Sequence, residues 1–95
     1  MIIVFATVTL KTGKNQELIN VSKDLIKNTR LEEGCIDYNL YDDCESQDLF
    51  VFVEKWKDEK ALNEHMETAH FKSFVEKGSP LFAKDLDIVQ YLTKD

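Results

Sequence analysis

The sequence has few of the residues that interrupt regular structure or cross-link a chain. Its 95 residues include one proline, three glycines and two cysteines. So little proline and glycine excludes a collagen-like or low-complexity chain and indicates short turns between regular elements. Cys35 and Cys44 lie nine positions apart in a segment predicted to be extended, which would hold them roughly 30 Å apart. Neither a disulfide nor a structural zinc site is therefore expected.

Basic residues are also scarce, and long hydrophobic runs are missing. Twelve basic residues stand against eighteen acidic ones, for a net charge of −6, and they are scattered along the chain. Nucleic acid is therefore not an expected partner. The apolar residues 1–10 are too few for a membrane span and lack the basic start and cleavage site of a secretory signal. We expect a cytoplasmic protein without a membrane partner, folded as one domain over residues 1–95.

Hydrophobic periodicity predicts the first three strands and the first helix. Residues 2–11 alternate between two apolar sets, as in a strand with no fully polar face. A helix follows, with four apolar residues at helical spacing, Leu18, Val21, Leu25 and Ile26. It is expected to end near Glu33, with Gly34 as a left-handed cap. Residues 35–43 and 49–57 alternate again and are predicted to form a hairpin. In the first of these strands, Ile36, Tyr38 and Leu40 are expected on one face, opposite Cys35, Asp37, Asn39 and Tyr41.

The rest of the chain predicts a split helical region and a last strand. Asp58 can cap a helix, and Thr68 can cap a second one that ends at residues 78–80. Residues 86–93 supply the fourth strand. The order β-α-β-β-α-β predicts an α+β, ferredoxin-like fold, in which helices cover one face of an antiparallel sheet.

The third predicted strand is apolar on both faces. Phe50, Phe52 and Trp56 share one face with Glu54, and Leu49, Val51 and Val53 lie on the other. The helices cover only one face, so the second would leave an apolar patch larger than soluble monomers usually expose. We therefore predict a homodimer formed by sheet-to-sheet packing.

Two stretches carry a resemblance to a known family, GCIDYNLY at residues 34–41 and FVFVEKWKDEKALNEHMETAHFKSF at residues 50–74. Over essentially its whole length the chain resembles the antibiotic biosynthesis monooxygenase family, small dimeric α/β-barrel proteins that include quinol monooxygenases. The most specific positions are Gly34-Cys35 with Tyr38, Glu54 to Trp56, Ala61-Leu62 with His65, and His70-Phe71. The resemblance implies the same fold and dimer that the alternation predicts.

The resemblance implies one fold but several different activities. The family contains cofactor-independent oxygenases of quinols and phenols, haem-degrading enzymes and an enzyme that processes a signal molecule. The haem degraders place an Asn on the first strand, a Trp in the second helical region and a later His. The corresponding positions here hold Ala6 or Thr7, His65 and Val75, so haem degradation is not expected.

We predict a cofactor-independent monooxygenase that oxidises a small quinol or polycyclic phenol with dioxygen. Such a reaction requires a base and a dry pocket. His65 is the predicted general base, because an imidazole pKa of about 6.5 suits proton removal at neutral pH. Glu54, a carboxylate beside aromatic residues, is the second catalytic candidate. The residues expected to bind a small aromatic substrate are Tyr38, Phe52, Trp56, His70, Phe71 and Phe74.

Several of these residues also have purely structural explanations. His65 can form a hydrogen bond across the helix–sheet interface, and His70 can pack or cap a helix. Trp56 and Tyr38 can belong to an ordinary aromatic core. Two other functions also remain open, the processing of a small carbonyl signal molecule and a non-catalytic role as a dimeric ligand-binding or stress module.

No metal site is expected from Glu54, His65 and His70. The histidines are five positions apart, which is about 140° around an ideal helix. A helix break at Thr68 would change that geometry.

Overall fold

The computed structural model describes residues 1–94, so Asp95, the last residue of the predicted domain, lies outside the described part. The elements follow in the order β1 (Ile2–Thr9), α1 (Asn15–Thr29), β2 (Cys35–Asp42), β3 (Leu49–Trp56), α2 (Glu59–Met66), α3 (Ala69–Gly78), a 3-10 turn (Ser79–Leu81) and β4 (Asp87–Leu92). The strands form one antiparallel sheet in the order β2-β3-β1-β4. The predicted α+β, ferredoxin-like fold is confirmed.

The core lies between the helices and one face of the sheet. Alternate residues of β1, namely Ile2, Val4, Ala6 and Val8, are buried there, and Leu18 and Leu25 of α1 pack against them. Among residues 1–94, no helix packs on the other face of the sheet. We call it the open face; its apolar residues include Ile3, Phe5, Val51, Val53, Val89 and Tyr91.

Strand β2 begins with a bulge that the alternation did not predict. Cys35 pairs with Trp56 and Asp37 pairs with Lys55, so Ile36 is the extra residue. Ile36 is consequently exposed, whereas Cys35 packs against the core. The expected grouping of Ile36 with Tyr38 on one face is therefore wrong, because a bulge resets the two-residue period.

The turn between α1 and β2 also differs from the prediction. Helix α1 ends at Thr29, and Gly34 does not have a positive φ, so the predicted left-handed cap at Gly34 is wrong. Glycine is required there because a Cβ atom would overlap the Ala61 methyl group of α2. The Arg30 guanidinium fixes the turn by donating to the Tyr38 carbonyl at 3.0 Å and to the Asn39 side chain at 2.9 Å.

The predicted caps of the two later helices are confirmed. Asp58 Oδ1 accepts a hydrogen bond from the Ala61 N–H at 2.8 Å, and Thr68 Oγ1 accepts one from the Phe71 N–H at 3.2 Å. The Thr68 hydroxyl also donates to the His65 carbonyl at 2.7 Å. Among the described residues, no helix has the length and apolar character needed to cross a bilayer.

Candidate active site

A cavity of about 90 Å³ lies between the helices and the helix-facing side of the sheet. Its walls are mostly apolar and include Val4, Ala6, Leu25, Phe52, Leu62, Met66, Phe71, Phe74, Leu86 and Ile88; its polar residues are Tyr38, Glu54, His65 and Gln90. Met66, Ile88 and Gln90 are exposed, so they mark the mouth of the cavity. A mostly apolar pocket with a few convergent polar groups is typical of small-molecule sites.

Tyr38 and Glu54 face each other across the β2–β3 pair. Strand alternation directs both side chains toward the helices, where both are buried. The Tyr38 ring is 5.6 Å from the Phe52 ring and 5.6 Å from the His65 ring, measured between centroids. The sheet therefore supplies a phenol and a carboxyl group on one wall of the cavity.

Burial, together with a smaller contribution from the nearby Glu32 charge, raises the pKa of Glu54 to about 7. A hydrogen bond from the Trp56 indole N–H to Glu54 Oε1, at 3.0 Å, acts in the opposite direction. Burial likewise raises the pKa of the Tyr38 phenol, so that group is protonated at neutral pH. Glu54 exists in both protonation states near pH 7.

His65 lies on α2 inside an aromatic shell and is 2 % exposed. Its ring centroid is 4.7 Å from Trp56 and 5.1 Å from Phe71. Burial lowers the pKa of His65, although its hydrogen bond to Glu32 partly offsets that effect. The imidazole is therefore neutral at pH 7 and can accept a proton.

Glu32, in the turn between α1 and β2, is the functional candidate that the sequence did not reveal. Its Oε2 atom lies 2.7 Å from His65 Nδ1 and 2.8 Å from His70 Nε2. A carboxylate oxygen only accepts hydrogen bonds, so both ring nitrogens donate to it. In the neutral His65 ring, Nδ1 then carries the hydrogen and Nε2 carries the lone pair.

No sequence pattern distinguished Glu32 from its neighbour Glu33. Both precede Gly34 in what looks like a solvated helix end, yet the Glu33 side chain is 95 % exposed and that of Glu32 only 15 %. The difference arises because the helix ends early and the turn folds back toward α2. A tertiary contact of this kind has no periodic signature.

The break at Thr68 brings the two histidines to the same carboxylate. His65 lies in the last turn of α2 and His70 in the first turn of α3. The capped break between them replaces the angle of about 140° that would separate the two side chains on a continuous helix. The carboxylate they meet is Glu32 rather than Glu54. Among the described residues, the histidine, cysteine and carboxylate side chains that could hold a metal ion together are Glu32, His65 and His70, whose ligand atoms lie within 4.8 Å of one another.

Six of the eight predicted site residues line the cavity, namely Glu54, His65, Tyr38, Phe52, Phe71 and Phe74. Trp56 is fully buried and contacts the cavity residues through its hydrogen bond to Glu54 and its packing on His65. His70 binds Glu32 instead. Both therefore support the cavity from outside its lining.

The fold and the overall sequence are similar to those of known proteins. A family model described as antibiotic biosynthesis monooxygenase matches residues 1–77. The chain is 40% identical over 90 residues to "Putative monooxygenase YcnE" of Bacillus subtilis strain 168, covering 95% of each protein. A conserved protein from Methanosarcina mazei Go1 superposes with a TM-score of 0.93 at 39% identity, over 98% of this chain and 92% of that one. An antibiotic biosynthesis monooxygenase from Caulobacter crescentus CB15, named as putative, gives a TM-score of 0.94 at 25% identity, over 99% and 90% of the two chains.

Proposed function

Because the chain belongs to the antibiotic biosynthesis monooxygenase family, we propose that it is a cofactor-independent monooxygenase that oxidises a small quinol or phenol with dioxygen. The observation that carries this proposal is the placement of His65. The ring lines an apolar cavity, while its Nδ1 atom is held by Glu32, which lies outside the cavity lining. This is the arrangement of a general base that is oriented by a third group.

His65 accepts the substrate proton at Nε2. The Glu32 carboxylate fixes the Nδ1–H tautomer and stabilises the imidazolium that forms when the proton arrives. The aromatic rings of Trp56 and Phe71 limit rotation of the imidazole. The base is therefore held in one orientation before the substrate enters, which lowers the entropy loss in the reaction.

The reaction needs no external reductant. With a hydroquinone, His65 removes one hydroxyl proton and the resulting anion transfers an electron to dioxygen. Combination of the two radicals forms a carbon–oxygen bond to the ring, and the hydroperoxide then loses water to give a hydroxyquinone. One oxygen atom stays in the product, the other leaves in water, and the substrate supplies all the electrons.

Glu54 and Tyr38 hold the substrate oxygens. The protonated forms of both groups donate hydrogen bonds, and the raised pKa values keep Tyr38 fully protonated and Glu54 partly protonated at pH 7. Trp56 fixes Glu54 Oε1 and leaves the other carboxyl oxygen for the substrate. The apolar walls exclude water from the reactive intermediates.

The cavity volume favours single-ring substrates over polycyclic ones. The roughly 90 Å³ cavity is smaller than the 150 Å³ or so that holds benzene in a dry protein cavity. Even one ring must therefore displace side chains at the mouth. Met66 is suited to this movement because its unbranched side chain adapts at low cost, whereas a polycyclic phenol would also have to separate the helices from the sheet.

The proposal includes a homodimer that packs through the open face. Phe5 and Tyr91 are large apolar side chains there, with exposed fractions of 37% and 55%, and they form an edge-to-face aromatic pair. Val89 is also part-exposed on this face, at 39%. A second sheet packed against these residues would remove a contiguous apolar surface from water.

Oxygen uptake with a panel of monocyclic hydroquinones tests the activity. In the His65→Asn variant, the amide nitrogen can still donate to Glu32 in place of Nδ1, but no base remains. We expect its kcat to fall by about 10²–10⁴-fold, while Asn63→Ala, an exposed change on the same helix, leaves kcat unchanged. Equal rates for wild type and His65→Asn would remove His65 from the mechanism, and no uptake with any substrate in the panel would refute the proposal.

A further inference from the structure

We propose that Glu32, His65 and His70 form a binding site for a divalent transition-metal ion, with zinc as the first choice. The three side chains come from three separate segments and converge with one carboxylate oxygen and two imidazole nitrogens within 4.8 Å of one another. Nothing in the oxidation of a quinol requires His70 or a second contact to Glu32. A metal site would explain why these three side chains converge.

The donor set suits zinc. Two imidazoles and one glutamate are the protein ligands of a known class of zinc site, which leaves a fourth position for an exogenous ligand. Harder ions such as Mg²⁺ and Ca²⁺ prefer sets made only of oxygen. Zinc binds a ring nitrogen that carries no hydrogen. The hydrogen that each ligating nitrogen donates to Glu32 must therefore leave it, and in a neutral ring it can move to the other ring nitrogen.

Movements of about 1 Å in the side chains are needed to admit the ion. Zinc–nitrogen and zinc–oxygen bonds of about 2.0–2.2 Å place tetrahedral ligands about 3.3–3.6 Å apart. The present distances from Glu32 Oε2 to the two nitrogens are the hydrogen-bond lengths of 2.7 and 2.8 Å. Withdrawal of the Glu32 carboxylate, which lies in a turn, by roughly 0.5–0.8 Å corrects these two distances. The two ring nitrogens, which lie within 4.8 Å of one another, must also move closer together, by up to about 1.5 Å.

Burial and packing organise the ligands in advance. The side chains of His65, His70 and Glu32 are 2%, 18% and 15% exposed. The break at Thr68 sets the relative orientation of the two rings, whose centroids are 6.0 Å apart. Cys35, the first residue of β2, does not belong to this group of converging ligand atoms among the described residues.

Metal binding and the proposed oxidation exclude each other. An ion bound to Nδ1 leaves the hydrogen on Nε2 of His65, so the ring can no longer accept a substrate proton. This consequence rests on the proposed function, whereas the metal site itself does not. Bound zinc would act as an inhibitor that a chelator reverses.

The direct test is calorimetric titration of untagged, chelator-dialysed full-length protein with ZnCl₂. We expect one zinc per chain with a Kd of about 1 µM or below. His70→Gln retains a donor near Glu32 but loses the imidazole ligand, and Glu32→Gln loses the charge; each should weaken binding at least 10-fold. Glu33→Gln, a change at the exposed neighbour, is the matched control and should bind as wild type does.

A second measurement guards against variants that fold poorly. The wild-type chain has only two histidines, so ¹⁵N NMR of its imidazoles assigns both rings without ambiguity. Zinc should shift Nδ1 of His65 and Nε2 of His70 together, at one equivalent. Absence of 1:1 binding, unshifted ring nitrogens, or undiminished affinity in both His70→Gln and Glu32→Gln would overturn the metal site. These readouts need no substrate, so they decide it even if no oxygenase activity is found.

Discussion

Glu32 Oε2 lies 2.7 Å from Nδ1 of His65, although 33 residues separate them along the chain. The contact joins the turn after α1 to the last turn of α2. It decides which nitrogen of the buried ring carries the hydrogen, and so which nitrogen can act on a substrate. The proposed base and the proposed metal site both depend on this one carboxylate.

Replacement of Glu32 by glutamine is expected to lower kcat for quinol oxidation by about 10- to 100-fold. The amide can still accept from His65, but it lacks the charge that stabilises the imidazolium, and a hydrogen bond to a charged group contributes about 1.5–3 kcal/mol. KM should change little, because Glu32 is not among the residues that line the cavity. Steady-state oxygen uptake, compared with Glu33→Gln, measures both constants. An increase in KM with kcat unchanged would contradict the role assigned to Glu32.

The buried carboxyl of Glu54 should make the protein less stable as pH rises from about 4.5 to about 7. Its folded pKa of about 7 lies above its ordinary value of 4.5, so the unfolded chain ionises first and the folded state holds more protons in that window. The difference corresponds to roughly 3 kcal/mol. The groups around Glu54 are Tyr38, Trp56, His65 and the Glu32 charge.

The Glu54→Gln variant isolates this contribution. Urea denaturation at pH 5 and pH 7.5 should show that wild type loses more free energy of unfolding than the variant does over the same interval. Glu76→Gln, at an exposed site on α3, is the control and should follow wild type. Identical pH dependence in wild type and Glu54→Gln would show that Glu54 ionises normally.

The Gly34→Ala substitution is expected to destabilise the fold by about 1–3 kcal/mol, because the added methyl group overlaps the Ala61 side chain. The Ala61→Gly substitution removes the opposing methyl group. In that background, Gly34→Ala should cost at least about 1 kcal/mol less, which is a coupling typical of residues in contact. Denaturant titration of the four proteins in the cycle gives the coupling energy, and strict additivity would argue against the overlap.

A charge on the open face is expected to prevent dimerisation. Val53→Asp places a carboxylate in the centre of the apolar surface, and desolvation of that charge opposes sheet-to-sheet packing. Sedimentation equilibrium should find wild type as a dimer and Val53→Asp as a monomer, while Asn63→Asp on the helical side remains dimeric. A wild-type monomer at micromolar concentration would refute the dimer.

The fold was predictable because it depends on periodicity, which is local. The alternation of β1 and β3, the spacing in α1 and the caps at Asp58 and Thr68 all correspond to the structure. The errors fall where one residue breaks a period, at Ile36 in the bulge, or where a glycine serves close packing instead of a turn, at Gly34. Neither feature is encoded within its own segment.

The site residues on the sheet could be predicted from the sequence, whereas those in the turn and on the helices could be predicted only in part. The strand pattern placed the side chain of Glu54 on the same face as Phe52 and Trp56. It did not decide whether the carboxyl group is buried or reaches solvent at the strand end. Glu32 could not be found in this way, since its role depends on how a turn approaches α2 and α3. His70 was predicted to bind the substrate because the sequence does not show that its partner is Glu32.

Strand β4 lies at the edge of the sheet, and its side chains alternate between the cavity side and the open face. Ile88 and Gln90 line the mouth of the cavity, and Val89 and Tyr91 lie on the open face. Any partner that presses on Val89 and Tyr91 therefore restrains the backbone that carries Ile88 and Gln90. In the proposed dimer, substrate entry would then depend on protein concentration, and dilution alone would change the rate at which each chain admits its substrate.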